Sequence, residues 1–126
     1  ARIALRDYKS GLVVLAEALR ATSQTGNIVI TLGAEGVLIH APGKDGWYTD
    51  RLAGFNTTTK DIAGAGDSML TCTALALAVN CNIWESIYLG SLASACQVGR
   101  IGNIPLTQQD LLVELEQLSN NKSVII

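Results

Sequence analysis

The chain has 126 residues, 48% of them hydrophobic and 16% charged, with a formal net charge of −2. That length fits one domain over residues 1–126 with a real core, and the composition excludes a disordered tail or a basic arm for nucleic acid. Without a field of Lys and Arg, any phosphate must be held by backbone N–H groups and local geometry, which turns attention to Gly-rich turns.

In residues 10–22, Leu12, Leu15, Ala16 and Leu19 recur at helical spacing and Gly26 with Asn27 stops the run, so residues 1–26 are read as a leading helix. Residues 28–32 form a β-branched run that is apolar on both faces, which suits a central strand covered on both sides. Residues 37–40 and 46–49, flanked by Gly- and Pro-containing turns, read as short antiparallel strands at one end of the sheet. Residues 55–59 are again strand-like.

Beyond them the chain reads as helix. Residues 68–79 are apolar on every side, as in a buried helix. Residues 83–98 carry the small residues Gly90, Ser91, Ala93, Ser94 and Ala95, which admit close approach of a neighbour or a ligand. Residues 107–118 place Leu111, Leu112, Leu115 and Leu118 on one face, with Thr107 as N-cap ahead of Asp110. Residues 119–126 read as a loose tail. The order of elements is that of an α/β fold.

Several residues read as structural. Cys72, Cys81 and Cys96 lack Cys-x-x-Cys spacing and read as reduced, packed thiols of a cytoplasmic protein. The apolar stretch 69–79 is too short to span a bilayer and no signal peptide precedes it, so no membrane partner is expected. The opening Ala-Arg-Ile suggests a piece of something longer. His40 has no Ser or Cys partner at a readable spacing and reads as a surface or strand-end residue. Trp47 and Tyr48 suit a hairpin over a sheet edge, and Glu114 and Glu116 a solvated helix face.

The segment with chemical content is Asp61-Ile62-Ala63-Gly64-Ala65-Gly66-Asp67, between a strand and an apolar helix. Two glycines around an alanine let successive N–H groups converge. The helix that follows adds its unpaired N–H groups and the positive end of its dipole, making an anion site without cationic side chains. Asp67 beside that anion suits a group that accepts a proton from a hydroxyl attacking a phosphate. The plain alternative is an ordinary strand-to-helix turn with Asp67 as its N-cap.

This turn resembles the signature Asp-Thr-x-Gly-Ala-Gly-Asp of ribokinase-type (PfkB family) sugar kinases. Val29-Ile30-Thr31-Leu32-Gly33-Ala34-Glu35-Gly36 resembles that family's strand ending in Thr-Leu-Gly-x-x-Gly, and Gln97-Val98-Gly99-Arg100-Ile101-Gly102 its segment closing the nucleotide site. The resemblance covers residues 27–118 and implies the C-terminal, nucleotide-binding portion of a three-layer α/β/α ribokinase-like fold. It implies transfer of the γ-phosphoryl of ATP to a hydroxyl of a sugar or sugar phosphate. Asp67 would then be the catalytic base, and the N–H groups of Gly64, Ala65 and Gly66 would stabilise charge on the moving phosphoryl group. Thr31, Gly33 and Gly36 would contact nucleotide phosphates, with Ser91 on the adenine side. Asp61 would help bind a monovalent cation such as K⁺, with backbone carbonyls near Gln97, Arg100 and Gly102, and Arg100 could also reach a phosphate. Mg²⁺ would come with an acidic motif in the family's N-terminal part, which has no counterpart upstream of Asn27, so the chain alone should not phosphorylate a sugar. Ile62 departs from the family's Thr. The run 98–102 looks closest to the heptose-phosphate kinase domains of ADP-heptose synthesis, and a homodimer is compatible with the resemblance. A catalytically silent nucleotide-binding module and a plain α/β scaffold are the rival readings.

Overall fold

A computed structural model describes residues 1–55, 60–102 and 104–122. Its contacts group into two compact units, Ala1–Gly54 and Phe55–Ile126. No helix among the described residues is long and apolar enough to cross a membrane.

The first unit begins with two helices rather than one leading helix. Helix α1 (Arg2–Leu5) stops at Arg6, whose φ of 53° is left-handed, and the Asp7 carboxylate accepts the N–H groups of Lys9 and Ser10 in a tight turn. Helix α2 (Leu12–Ser23) buries Leu15 and Ala16 completely. It packs on a three-stranded antiparallel sheet of β1 (Ile28–Thr31), β2 (Val37–Gly43) and β3 (Gly46–Leu52), in the order β1-β2-β3. The β2–β3 hairpin turns at Lys44 and Asp45, between the paired Gly43 and Gly46.

The sheet corrects two readings. Strand β1 is a half-buried edge strand that pairs with β2 alone among the described residues, and β2, expected at the end, is the centre, with Val37 to Ala41 buried. Both runs are equally apolar, so apolar content alone does not order them. His40, expected at the surface, is 4% exposed. Its Nδ1 is hydrogen-bonded to Thr49 Oγ1 at 2.8 Å and its Nε2 to Glu17 Oε2 at 2.9 Å, and its ring stacks on Trp47 at 5.2 Å. Glu17 also pairs with Arg20, which holds its carboxyl at about 2, with His40 adding to the effect.

The expected strand at 55–59 lies outside the described residues beyond Phe55. The second unit holds α3 (Ala65–Ala78), α4 (Ile83–Val98) and α5 (Gln108–Lys122). Helix α3 begins at Ala65, earlier than the apolar run at 68. It is not buried on every side: Met69, Thr73 and Ala76 form its one buried stripe, whereas Leu70 and Leu75 are 71% and 65% exposed. Uniform apolarity marks what a helix is able to bury, and among the described residues it packs closely on α4 alone.

The α3–α4 link is closed by local chemistry. Asn80 takes a left-handed φ of 66°, its N–H donates to Leu77 O, and Cys81 N–H reaches back to Ala76 O, a Schellman stop. Asn82 then caps α4 in a reciprocal pair with Glu85. Gly90 does admit a close neighbour: a Cβ there would stand 2.8 Å from Met69 O and 2.1 Å from Thr73 Oγ1. Thr107 and Asp110 cap α5 reciprocally, and α5 continues to Lys122, so the tail read as loose from 119 is helical that far. Leu111, Leu115 and Leu118 are half-buried, while Leu112 stays 42% exposed. Cys72, Cys81 and Cys96 are free, half-buried thiols.

One backbone position in the first unit tolerates no side chain. Gly36 ends the 3₁₀ turn Gly33–Glu35 with φ 96° and ψ −131°, and a Cβ on it would lie 2.0 Å from Leu52 O and 2.6 Å from Gly54 N. Gly36→Ala is expected to destabilise the unit by about 3 kcal/mol. Chemical denaturation followed by Trp47 fluorescence measures it, and an unchanged midpoint would contradict the packing described.

Candidate functional site: the residue 61–67 turn and its clasp

The turn at residues 61–64 delivers the chain into α3. Gly64 is the N-cap, in the left-handed region at φ 75°; Ala65 N–H closes on Ile62 O at 3.3 Å, and Ser68 N–H makes the first helical bond to Gly64 O at 2.9 Å. A glycine cap has no side chain to cover the end of the helix, so the first-turn amides and the positive end of the dipole face outward. A Cβ on Gly66 would meet nothing within 4 Å, so the space at this helix start is open. Asp67 is the third helical residue, is exposed, and is not the cap. The ordinary-turn reading of Asp67 as N-cap is thereby corrected.

Ahead of the helix the turn is clasped by the C-terminal end of α4. Val98 O accepts the N–H groups of Lys60 and Asp61 at 2.8 and 3.3 Å. Asp61 Oδ1 accepts Ala63 N–H at 3.0 Å and Asp61 Oδ2 accepts Gly102 N–H at 3.2 Å. Gln97, 1% exposed, points its amide into the same place, donating to Gly102 O at 3.3 Å and Ala63 O at 3.5 Å. Asp61, Gln97 and Gly102 are thus brought together, as their grouping in the sequence reading anticipated. The Gln97 side chain, rather than only its backbone, is the part that reading missed.

Arg100 does not join them through its side chain, which pairs with Asp110 at 2.7 Å. Ser91 is buried on α4, and its hydroxyl and that of Thr73 have no hydrogen-bond partner among the described groups. Thr31, Gly33 and Gly36 belong to the first unit: Thr31 is exposed at the end of β1, and Gly33 opens the 3₁₀ turn with φ 63°. Among the described residues no group of three His, Cys, Asp or Glu is placed to hold a metal ion.

A cavity of about 420 Å³ between α4 and α5 was not anticipated; it is lined by Phe55, Leu92, Cys96, Arg100, Asp110 and Glu114, among others. Glu114, read as solvated, is half-buried there. Burial, and then the Glu114 carboxylate, push the Cys96 thiol up to about 11, so it remains protonated and unreactive at neutral pH. The Thr107-to-Asp110 spacing announces a helix start, but nothing local announces that Asp110 also meets Arg100.

The pfkB family carbohydrate kinase pattern matches residues 9–110. The chain belongs to this family. Among its curated relatives, the bifunctional protein HldE of Methylobacillus flagellatus is 29% identical over 105 residues, covering 83% of this chain and 21% of the relative. The ribokinase of Lactococcus lactis is 31% identical over 78 residues, covering 62% of this chain and 25% of the relative. Among solved structures, Escherichia coli phosphofructokinase-2 in complex with potassium superposes with a TM-score of 0.72 at 21% identity, over 86% of this chain and 34% of that one. Thermotoga maritima ribokinase gives 0.68 at 24% identity, over 88% and 37%. This pfkB chain therefore carries part of a ribokinase-like α/β fold, and spans about a fifth to a quarter of the length of these curated relatives.

Asp110 yields a pH prediction for the clasp region. The backbone and side chain of Thr107, then Arg100, hold its carboxyl at about 2, below the ordinary 3.8. A carboxyl lowered on folding stabilises the fold fully above its unfolded value and loses that contribution as pH falls toward its folded value. The stability gap between wild type and Asp110→Asn is expected to be constant above about pH 5 and to close between about pH 4 and 2. Denaturation midpoints across that range measure it, and a gap independent of pH would contradict the pairing.

Proposed function

We propose that this chain supplies the phosphate cradle and the proton acceptor of an ATP-dependent sugar kinase, completed by the larger part of the protein seen in its relatives. The observation that carries the reading is the open start of α3, whose cap Gly64 has no side chain to cover it, with free space at Gly66 and the exposed Asp67 carboxylate in the first turn. Family membership supports the same reaction class.

In this reading a sugar hydroxyl attacks the γ-phosphorus of ATP, Asp67 takes the hydroxyl proton, and the bond between the γ-phosphorus and the bridging oxygen breaks to release ADP. The N–H groups of Gly64, Ala65 and Gly66 hold the charge that spreads over the moving phosphoryl oxygens, an electrostatic contribution set before the reaction starts. Thr31, Gly33 and Gly36 contribute nucleotide-phosphate contacts, with Ser91 on the adenine side. Mg²⁺ would neutralise phosphate charge. The described residues provide no acidic cluster for it, so its ligands would be the phosphates themselves and side chains outside this chain. The acceptor is a sugar or sugar phosphate, with a heptose phosphate the first to assay because the run 98–102 resembles the kinases of ADP-heptose synthesis. The work belongs in the cytoplasm, where ATP is available.

The test uses the whole protein that carries this chain. Asp67→Asn is expected to lower kcat by about 10²–10⁴-fold while nucleotide affinity stays within a few-fold. Gly66→Val, which places a side chain in open space, is expected to abolish Mg·ATP binding in calorimetry without moving the thermal midpoint. Turnover by Asp67→Asn at the wild-type rate would overturn the assignment of the base. Tight ATP binding with no phosphoryl transfer by wild type to any sugar would instead identify a silent nucleotide-binding module.

A further inference from the structure

A monovalent cation beside an anion site requires several oxygens with lone pairs directed at one vacant point. In this chain the corresponding point is filled. Ala63 and Gly102 are each held on both sides: their N–H groups by the two oxygens of Asp61, at 3.0 and 3.2 Å, and their carbonyls by the amide of Gln97, at 3.5 and 3.3 Å. The Asp61 carboxylate is thus directed at backbone donors, and the convergent carbonyls of residues 63 and 102 face N–H groups. Gln97 is 1% exposed and fixed on the last turn of α4, so its amide is not a surface group swinging past. With the amide reversed, Oε1 would stand against two carbonyl oxygens, three acceptors without a donor. Only a bound cation would make that arrangement favourable. The buried amide end of Gln97 therefore occupies the place between the two carbonyls that an ion would take, and the residues present do not fit a cation cage.

We propose that the Gln97 amide replaces the monovalent cation in this chain, as a neutral bridge that positions the turn ahead of α3. Gln97 is a positioning residue, and its two N–H groups do for the carbonyls of Ala63 and Gly102 what an ion would do. Each oxygen of Asp61 already accepts a backbone N–H. The order of the turn is then independent of K⁺, in contrast to what the potassium complex of the similar phosphofructokinase-2 would suggest. The inference rests on family membership and not on the proposed sugar kinase reaction, because its first readout is stability.

The experiment is thermal unfolding of the whole protein carrying this chain, with KCl exchanged for tetramethylammonium chloride at constant ionic strength, a cation too large to enter a carbonyl cage. Wild type is expected to show the same midpoint in both salts. Gln97→Met, similar in shape but without N–H groups, is expected to lose about 5 °C in both. Gln97→Glu, which turns an oxygen toward the two carbonyls, is expected to be destabilised in tetramethylammonium and restored by millimolar K⁺. Wild-type stabilisation that rises saturably with K⁺ would overturn the proposal even if both variants fail to fold. A wild-type midpoint in Gln97→Met would overturn it too, because the amide would then bridge nothing. A failed kinase assay would leave these outcomes unaffected.

Discussion

The second unit depends on one close approach. At Gly90 the backbone of α4 comes so near to α3 that a single carbon would collide with Met69 O and Thr73 Oγ1. That contact sets the two helices against each other as an antiparallel hairpin, with the Schellman stop at Asn80 and the Asn82 cap closing one end. At the other end, the start of α3 and the finish of α4 must then meet. The bonds from Val98 O to residues 60 and 61, and from Gln97 and Asp61 to Ala63 and Gly102, are what that meeting produces. The turn that offers its amides to an anion is shaped by a glycine more than twenty positions away in sequence.

The two units treat buried polarity differently. In the first, His40 is enclosed yet satisfied on both ring nitrogens, tying α2 to the sheet through Glu17. In the second, the hydroxyls of Thr73 and Ser91 are enclosed beside the Gly90 contact without a hydrogen-bond partner among the described residues. Leaving a buried hydroxyl unpaired costs about 1–3 kcal/mol, and proteins concentrate such departures where something other than stability is at stake.

Features governed by neighbours in sequence were legible before the structure. The reciprocal cap of Thr107 and Asp110, the hairpin between Gly43 and Gly46, the span of α4 and the glycine turn before Asp67 follow from short-range geometry. What escaped depends on partners far along the chain. His40 meets Glu17 across 23 positions and Gln97 meets Ala63 across 34, and neither pair leaves a local mark. An apolar run likewise does not state how many neighbours it has, so β1 reads as a central strand and α3 as buried all round, although among the described residues each is covered on one side only. The proton-acceptor reading of Asp67 follows from its place at the helix start and the resemblance adds the kinase, whereas the grouping of Asp61 with Gln97 and Gly102 rests on the resemblance alone until the side-chain amide is placed.

The stacking of Trp47 has a consequence for anyone handling this protein. Its indole lies against the His40 ring and under the Arg20 guanidinium, 4.4 Å from the ring centroid, so its emission reports on the packing of α2 against the sheet. The other indole, Trp84, sits on α4 in the second unit. The chain therefore carries two built-in optical labels, one to a unit. Replacing either tryptophan with phenylalanine would leave a single-colour reporter that tells which half of the molecule loosens first.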